Sequence, residues 1–334
     1  MTHIVCFGEA LIDFLAGRTE PGQVRAFRQF AGGAPANAAV AVARLGGRCQ
    51  FVGMLAHDMF GDFLLQSLRD AGAGTAYVRR SDAAPTALAF VSLDASGERS
   101  FSFYRPPAAD LLFSETDFDP ACFADASVFH VCSNSLTEEA IAATTFAGMD
   151  LARNAGALVS IDLNLRPALW PESQPIPARL WQALSRADLV KLAREELEFL
   201  QRDEPKALER LLRHARLVLV TDGAAPIRWH ARAHHGELPA VPVQAIDTTA
   251  AGDAFIGGLL VQLQREHIGA AELASLIEDQ ARLTRALRYA AACGALAVTR
   301  HGSFAALPTH AEAMALLAGD QQTAAAAKLA TGVC

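Results

Sequence analysis

Hydrophobic residues lie along the chain in short continuous runs that alternate with helical patterns. The runs are rich in β-branched residues and do not alternate with polar ones, which is typical of strands covered on both faces. Six runs are predicted to be strands: Ile4–Phe7, Gln50–Met54, Ser127–Val131, Ala157–Asp162, Leu189–Leu192 and Leu217–Thr221. Helices are predicted at Ala36–Leu45, Gly61–Ala71, Thr137–Ala155, Pro177–Arg186, Arg194–Gln201, Lys206–Ala215, Gly252–Arg265 and Ala281–Ala297. This alternation favours an α/β fold whose mostly parallel central sheet carries helices on both faces.

Two segments, Gln23–Phe30 and Thr86–Tyr104, instead alternate apolar with polar residues, and the second contains a turn at Asp94–Gly97. Such segments are typical of half-buried antiparallel strands. We predict a small β-sheet lid whose strands are inserted at about residues 14–31 and 75–110. Edge strands without a covering role are the alternative.

No repeat or long linker divides the sequence, so residues 1–334 are predicted to form a single domain with this lid. Alanine dominates the last twenty residues, which are predicted to be a helix with a frayed end.

The composition excludes several classes of protein. Of 334 residues, 51% are hydrophobic and 19% charged, which argues for a packed core rather than disorder. The net charge of −7 disfavours general binding to nucleic acid or to an anionic membrane. Six scattered cysteines without a CxxC pair indicate free thiols. With no signal peptide or apolar run of membrane length, we expect a cytoplasmic protein.

The first candidate for chemistry is the sequence DTTAAGDAF, which begins at Asp247. The small residues Ala250, Ala251 and Gly252 lead directly into a helix, so their unpaired backbone N–H groups would form an anion hole. Asp253 would lie in the first helical turn, where it could accept a proton from an attacking hydroxyl. The alternative is an acidic residue that only complements the helix dipole.

Two more segments place polar groups after predicted strands. Gly33 belongs to a Gly-Gly turn that opens a helix of small residues, and Asn37 offers both a donor and an acceptor to a polyhydroxylated molecule. Asp13 follows the first predicted strand, and such polar groups would converge at the carboxyl edge of an open sheet. A glycine pair that serves only to pack an alanine-rich helix is the alternative.

In the third segment, Asp162, Asn164 and Arg166 alternate after a buried strand and would face the same way. Arg166 suits a phosphate or a carboxylate, although pairing with a surface acid is the alternative. The motifs GxxxxGK[ST], GxGxxG, HExxH and GxSxG do not occur in the sequence.

Together these segments resemble the PfkB, or ribokinase-like, family of carbohydrate kinases over almost the whole chain. The family motif Asp-Thr-x-Gly-Ala-Gly-Asp has Ala250 in place of its first glycine here. The motif Thr-x-Gly-x-x-Gly has Pro226 at its last glycine, and Asn-x-x-Glu keeps Glu196 but has Ala193 in place of asparagine.

Within the family, the segments around Arg105 and Arg166 are most similar to bacterial and plant fructokinases. The resemblance implies transfer of the γ-phosphoryl group of ATP to a hydroxymethyl group, converting D-fructose to fructose 6-phosphate. A 2-keto-3-deoxygluconate kinase is the alternative, since its substrate carboxylate would favour two arginines. A non-catalytic sugar-binding regulator on the same scaffold and a nicotinamide-dependent dehydrogenase are rival classes.

The resemblance also implies roles for individual residues. Catalysis would depend on Asp253 as the base and on the backbone of Ala250, Ala251 and Gly252. The sugar would be held by Asp13, Gly33, Asn37, Arg105, Arg166 and Asp253. The nucleotide would be held by Lys191, Thr221, Gly223 and Gly252. Metal sites would involve Glu196, which would hold Mg²⁺ through water, and Asp247 with Thr249, which would bind K⁺. The partners implied are the sugar, ATP and a second copy bound through the lid.

Overall fold

The computed structural model describes residues 2–17, 24–93, 99–105, 107–170 and 176–319. These residues form thirteen strands arranged in two sheets. The strands are β1 (His3–Phe7), β2 (Leu11–Ala16), β3 (Phe27–Gly32), β4 (Cys49–Ala56), β5 (Val78–Ser81), β6 (Leu88–Leu93), β7 (Arg99–Tyr104), β8 (Ala126–Cys132), β9 (Leu158–Asp162), β10 (Leu189–Ala193), β11 (Leu217–Thr221), β12 (Ile227–His230) and β13 (His235–Leu238).

Nine α-helices with defined bounds occur in the described part of the chain. They are α1 (Ala34–Arg44), α2 (Met59–Asp70), α3 (Glu139–Asn154), α4 (Ile176–Leu184), α5 (Arg194–Asp203), α6 (Ala207–Leu211), α7 (Ala251–Arg265), α8 (Leu273–Glu278) and α9 (Gln280–Ala297). Short 3₁₀ helices lie at Ala109–Leu112, Glu115–Asp117, Pro120–Cys122, Ser133–Leu136, Pro167–Leu169 and Phe304–Ala306. Residues 310–319 are also helical, and the rest of the alanine-rich end lies outside the described residues.

The large sheet has the order β13-β12-β11-β10-β9-β8-β1-β4-β5. Its strands are parallel except for β12 and β13, which extend one edge as an antiparallel hairpin. In β1, Ile4 and Cys6 face one core, while Val5 and Phe7 face the other. Because both faces are buried, the strands read as continuous apolar runs. The predicted parallel sheet with helices on both faces is confirmed.

The small sheet has the order β3-β2-β6-β7 and is the predicted lid. Residues of β2 alternate between its faces, so Asp13 points to the cleft described below and Phe14 to the opposite side. β2 begins at Leu11 and β3 at Phe27, so both boundaries differ from the prediction. The turn predicted at 94–97 lies outside the described residues.

One part of the predicted lid was wrong. β5 pairs in parallel with β4 at the edge of the large sheet, so residues 78–81 do not belong to the lid. An edge strand has one exposed side and gives the same half-buried pattern as a lid strand, which explains the error. The helix predicted at Lys206–Ala215 is also shorter, because α6 ends at Leu211.

Three helices that pack together, α1, α7 and α9, cross closely because their contacts are made by alanine and glycine. A Cβ atom on Gly257 would lie 2.5 Å from Ala41 Cβ, and one on Gly258 would lie 2.9 Å from Cys293 Sγ. Neither gap can hold a methyl group, so these glycines fix the approach of the helices. The crossing thereby positions the first turn of α7.

No helix in the described part of the chain is both long and apolar enough to span a membrane.

We expect Gly257→Ala to lower the free energy of unfolding by about 1–3 kcal/mol, because the added methyl group overpacks the contact between α1 and α7. Urea denaturation measures the change. The matched control is Gly319→Ala, since a Cβ there would have no heavy atom within 4 Å. Its stability should equal or slightly exceed that of the wild type. Equal stability of Gly257→Ala and the wild type would contradict this account of the helix crossing.

Candidate active site

A cleft of 530 Å³ lies at the carboxyl edge of the large sheet, beneath the lid. The chain leaves β1 toward β4 on one side and returns to β8 on the other, so the strand order reverses at this point. Open α/β sheets bind their ligands at such a reversal. The first turns of α1 and α7 and the ends of β9, β10 and β11 contribute residues to the wall.

The first turn of α7 forms one side of the cleft. Ala250 precedes the helix in a left-handed conformation with φ 59° and ψ 9°. The backbone N–H of Ala254 is bonded to Ala250 O at 2.8 Å and begins the regular helical pattern. The N–H groups of Gly252 and Asp253 belong to the turn that a helix leaves unpaired, and both residues line the cleft. The predicted anion hole therefore has the geometry to hold a phosphate.

Asp253 is buried at the cleft and is held by two amides. Asn37 Nδ2 donates to its Oδ2 at 2.8 Å, and Asn164 Nδ2 donates to its Oδ1 at 3.3 Å. Burial, reinforced by the charge of Asp162, raises the pKa of the Asp253 carboxyl from 3.8 to about 7. A carboxylate with this pKa is suited to accept a proton near neutral pH.

An ion pair lies directly beside the anion hole. Lys191 Nζ donates to both carboxylate oxygens of Asp162, at 3.0 and 2.9 Å, and both side chains are buried. Burial alone would lower the pKa of Lys191, but the charges of Asp162 and Glu196 outweigh it and raise the pKa. A Cβ on Gly252 would lie 2.8 Å from Lys191 Nζ. Only glycine lets the ammonium group approach the anion-binding turn this closely.

Glu196 also lines the cleft, with its carboxylate fixed by backbone groups. Its oxygens accept the N–H of Leu165 at 2.6 Å and that of Ala193 at 2.7 Å. This residue therefore joins the end of β10 to the loop after β9. Burial raises its pKa. In the described residues, no group of three or more His, Cys, Asp or Glu side chains is arranged to hold a metal ion.

Other residues predicted to bind a sugar also line the cleft. Asp13 extends from the lid strand β2, and its Oδ2 accepts a hydrogen bond from Ser303 Oγ at 3.0 Å. Burial raises the pKa of Asp13 to about 6. Gly33 has φ 105° and precedes α1, and a Cβ there would lie 2.5 Å from Glu9 O. Arg166 and Thr221 line the cleft as well.

Three predicted site residues do not line the cleft. Arg105 is buried, and its Nη2 lies 2.6 Å from Asp110 Oδ2. A buried guanidinium needs such an ion pair to compensate for the loss of its water shell. Gly223 lies in an open turn with φ 52°. Asp247 lies behind the wall, where it accepts the N–H groups of Thr249 and Gly302 at 2.8 and 3.2 Å. Of the predicted K⁺ pair, only Thr249 reaches the cleft.

The structure adds cleft residues that the sequence analysis did not select. Glu9 Oε1 accepts the backbone N–H of Ala34 at 3.1 Å and Asn134 Nδ2 at 2.9 Å. Phe103 reaches the cleft from β7. Asn134 follows β8, so the rule that selected the polar residues after β9 would also have found it.

These features can bring an anion, a general base and a molecule rich in hydroxyl groups together. A buried carboxylate next to an anion-binding helix terminus is the arrangement that a phosphotransferase with an alcohol acceptor requires. Residues 1–310 match the pfkB family of carbohydrate kinases, and the chain belongs to this family. The family resemblance noted in the sequence is confirmed.

Several relatives that are similar over almost the whole chain are named fructokinases. Fructokinase-1 of Zea mays is 41% identical over 320 residues, which cover 94% of this chain and 97% of the relative. The crystal structure of a fructokinase with bound ATP from Xylella fastidiosa is 52% identical, with a TM-score of 0.92 over 96% of this chain and 99% of that one. A fructokinase double mutant from Vibrio cholerae, in a form with fructose, ADP and potassium ion bound, is 33% identical, with a TM-score of 0.82 over 95% of this chain and 98% of that one.

The raised pKa of Asp253 predicts how Asp253→Asn alters stability with pH. Between the ordinary pKa of 3.8 and about 7, the folded protein keeps a proton that the unfolded chain has lost, so this group lowers stability as pH rises. The free energy of unfolding of the variant minus that of the wild type should therefore grow across this window. The slope is about 1.4 kcal/mol per pH unit, and the total is on the order of 4 kcal/mol at most.

Urea denaturation at pH 4.5, 6 and 8 measures this difference. Asp70→Asn, which removes an exposed carboxylate, is the matched control and should follow the wild type at each pH. A difference between Asp253→Asn and the wild type that stays constant with pH would show that the Asp253 carboxyl titrates like an exposed one.

Proposed function

We propose that the protein phosphorylates the 6-hydroxyl group of D-fructose with ATP. The observation that carries this proposal is the position of Asp253, whose carboxylate faces a cleft beside the unpaired amides of α7. The names of the fructokinase relatives support fructose as the acceptor. Because the reaction consumes ATP, we also infer a cytoplasmic location.

In the reaction, the acceptor hydroxyl approaches Asp253 and transfers its proton to a carboxylate oxygen. The new bond forms between the hydroxyl oxygen and the γ-phosphorus, while the bond from that phosphorus to the bridging oxygen breaks and ADP leaves. The N–H groups of Gly252 and Asp253 stabilise the charge on the transferred group. Lys191 and Arg166 line the same cleft and add positive charge near the phosphates.

The arrangement of carboxylates fits a Mg²⁺ ion that keeps most of its water shell. Glu196 already accepts two backbone N–H groups, so contact through a bound water suits it better than direct chelation. A bound Mg²⁺ would supply positive charge that neutralises the phosphates of ATP. For K⁺, the buried carboxylate of Asp247 would provide the negative charge, beside the hydroxyl-bearing Thr249.

One observation favours the second candidate, a 2-keto-3-deoxygluconate kinase. Arg166 lines the cleft, where its Nη1 donates to Leu165 O at 3.2 Å, so its guanidinium could also receive a substrate carboxylate. The second arginine that a sugar acid would favour, Arg105, is already paired with Asp110. A neutral sugar therefore fits the cleft better.

The test is ADP release measured with D-fructose, 2-keto-3-deoxygluconate, ribose and adenosine, each in Mg²⁺ and K⁺. We expect the highest kcat/KM with fructose. Removing a general base costs about 10²–10⁴ in rate, so Asp253→Asn should lower kcat by that factor while fructose binding survives. Asp70→Asn is the control and should keep wild-type kcat.

The outcomes separate the rival functions. Sugar binding without ADP release would support a regulator instead of a kinase. A preference for the sugar acid would support the second candidate, and near-normal turnover by Asp253→Asn would remove this residue from the mechanism. Replacing K⁺ with choline should lower kcat if Asp247 helps to hold a monovalent cation, and replacing Mg²⁺ with EDTA should abolish turnover.

We further propose that two copies associate through the outer face of the lid. This lid aromatic face comprises Phe14, Phe27, Phe90 and Tyr104. Phe90 contacts the other three rings at centroid distances of 5.1–5.4 Å. Tyr104 is 65% exposed and Phe27 is 39% exposed, and a second copy of the sheet would bury both.

Sedimentation velocity tests this association. Tyr104→Glu places a charge in the lid aromatic face and should convert a dimer to a monomer. Met314→Glu alters a 49% exposed apolar side chain on the helical residues 310–319 and should leave the dimer intact. A monomeric wild type, or a dimer that persists in Tyr104→Glu, would refute this interface.

A further inference from the structure

Three asparagine side chains at the cleft are oriented by carboxylates. Asn37 and Asn164 donate to Asp253, and Asn134 Nδ2 donates to Glu9 Oε1 at 2.9 Å. Glu9 Oε1 also accepts the backbone N–H of Ala34 at 3.1 Å, so this oxygen acts as an acceptor and the Asn134 amide turns its NH₂ group to it. The amide oxygens are therefore directed elsewhere. Asn37 Oδ1 and Asn134 Oδ1 are both buried and have no hydrogen-bond partner among the described residues.

The orientation of Asn134 is fixed through its backbone as well as its side chain. Arg105 Nη1 donates to Asn134 O at 3.0 Å, and Thr137 Oγ1 donates to the same oxygen at 3.2 Å. Arg105 is itself held by Asp110. The residue is only 6% exposed and cannot turn its amide to solvent without breaking these contacts. It therefore presents one fixed acceptor.

A buried acceptor without a partner destabilises the folded protein by about 1–3 kcal/mol, so such an atom at a cleft indicates a ligand donor. The ligand group must carry a proton that it can donate to this oxygen, which excludes a carboxylate. A sugar hydroxyl meets this requirement. It cannot be the hydroxyl that is phosphorylated, since that one must face Asp253.

We propose that Asn134 is a specificity-determining residue that accepts a hydrogen bond from a non-reacting sugar hydroxyl. Glu9 and Arg105 are the positioning residues that fix its side chain and its backbone. This inference rests on the proposed sugar kinase activity and assigns Arg105 a role through Asn134 in place of direct sugar contact.

The test compares D-fructose with its 1-, 3- and 4-deoxy analogues in the wild type and in Asn134→Leu, which removes the amide at similar volume. We expect the variant to lose about 10- to 100-fold in kcat/KM with fructose, mainly through KM. The analogue that lacks the recognised hydroxyl should show a much smaller drop in kcat/KM when Asn134 is replaced by leucine. The other analogues should lose as much as fructose.

Thr144→Val is the matched control, because the buried Thr144 hydroxyl donates to Ala140 O at 3.0 Å within α3 and the residue does not line the cleft. It should keep the wild-type pattern across the analogues. Glu9→Gln is the second variant, for use if Asn134→Leu does not fold. The NH₂ group of the glutamine can donate to Asn134 Oδ1, which allows the asparagine amide to rotate by about 180°. Discrimination against the same analogue should therefore weaken.

The outcomes are distinguishable. If the wild type shows no sugar-dependent ADP release, the proposed function fails. If the wild type is active but Asn134→Leu loses the same factor with fructose and with every analogue, Asn134 is structural and the inference is overturned. Unchanged discrimination in Glu9→Gln would overturn it as well.

Discussion

The Asp253 carboxylate is buried, and no cationic side chain among the described residues forms an ion pair with it; the site depends on this constraint. A salt bridge would lower its pKa and make it a poor base. Here the ammonium group of Lys191 is bound to Asp162, and the hydrogen bonds that Asp253 accepts from side chains in the described part of the chain come from the amides of Asn37 and Asn164. The cation can therefore act beside the anion hole while the carboxylate keeps a pKa of about 7.

The turn before α7 shows that two small residues are required for different reasons. Ala250 lies in the left-handed region, which costs a residue with a Cβ about 1–2 kcal/mol, so alanine is tolerated where the family motif has glycine. At Gly252 the obstacle is steric, since Lys191 Nζ occupies the space that a Cβ would need. Substitution at 252 would disturb the ion pair itself, whereas substitution at 250 changes only a backbone preference.

The sequence predicted strands whose two faces are equally buried. It did not predict features that depend on which strand or side chain a segment contacts. Continuous apolar runs predicted β9, β10 and β11 closely because both faces of these strands are covered. The same reasoning failed for β5, whose half-exposed edge resembles a lid strand. Spacing also brought Asp162, Asn164 and Arg166 to one cleft, as predicted. It could not show that Arg105 would be neutralised by Asp110, because that depends on how deeply the chain is buried.

Arg105 links the lid to the floor of the cleft. It follows the last residue of β7 directly, and its guanidinium is held by Asp110 and by the backbone of Asn134. The chain therefore passes from β7 into the main domain at a fixed point, Arg105, two residues after Phe103. Asp13, on the neighbouring half of the lid, is held by Ser303 in the same way. Because buried polar groups anchor both halves of the lid, the inner face of the lid is positioned by contacts with Asn134 and Ser303, which line the cleft.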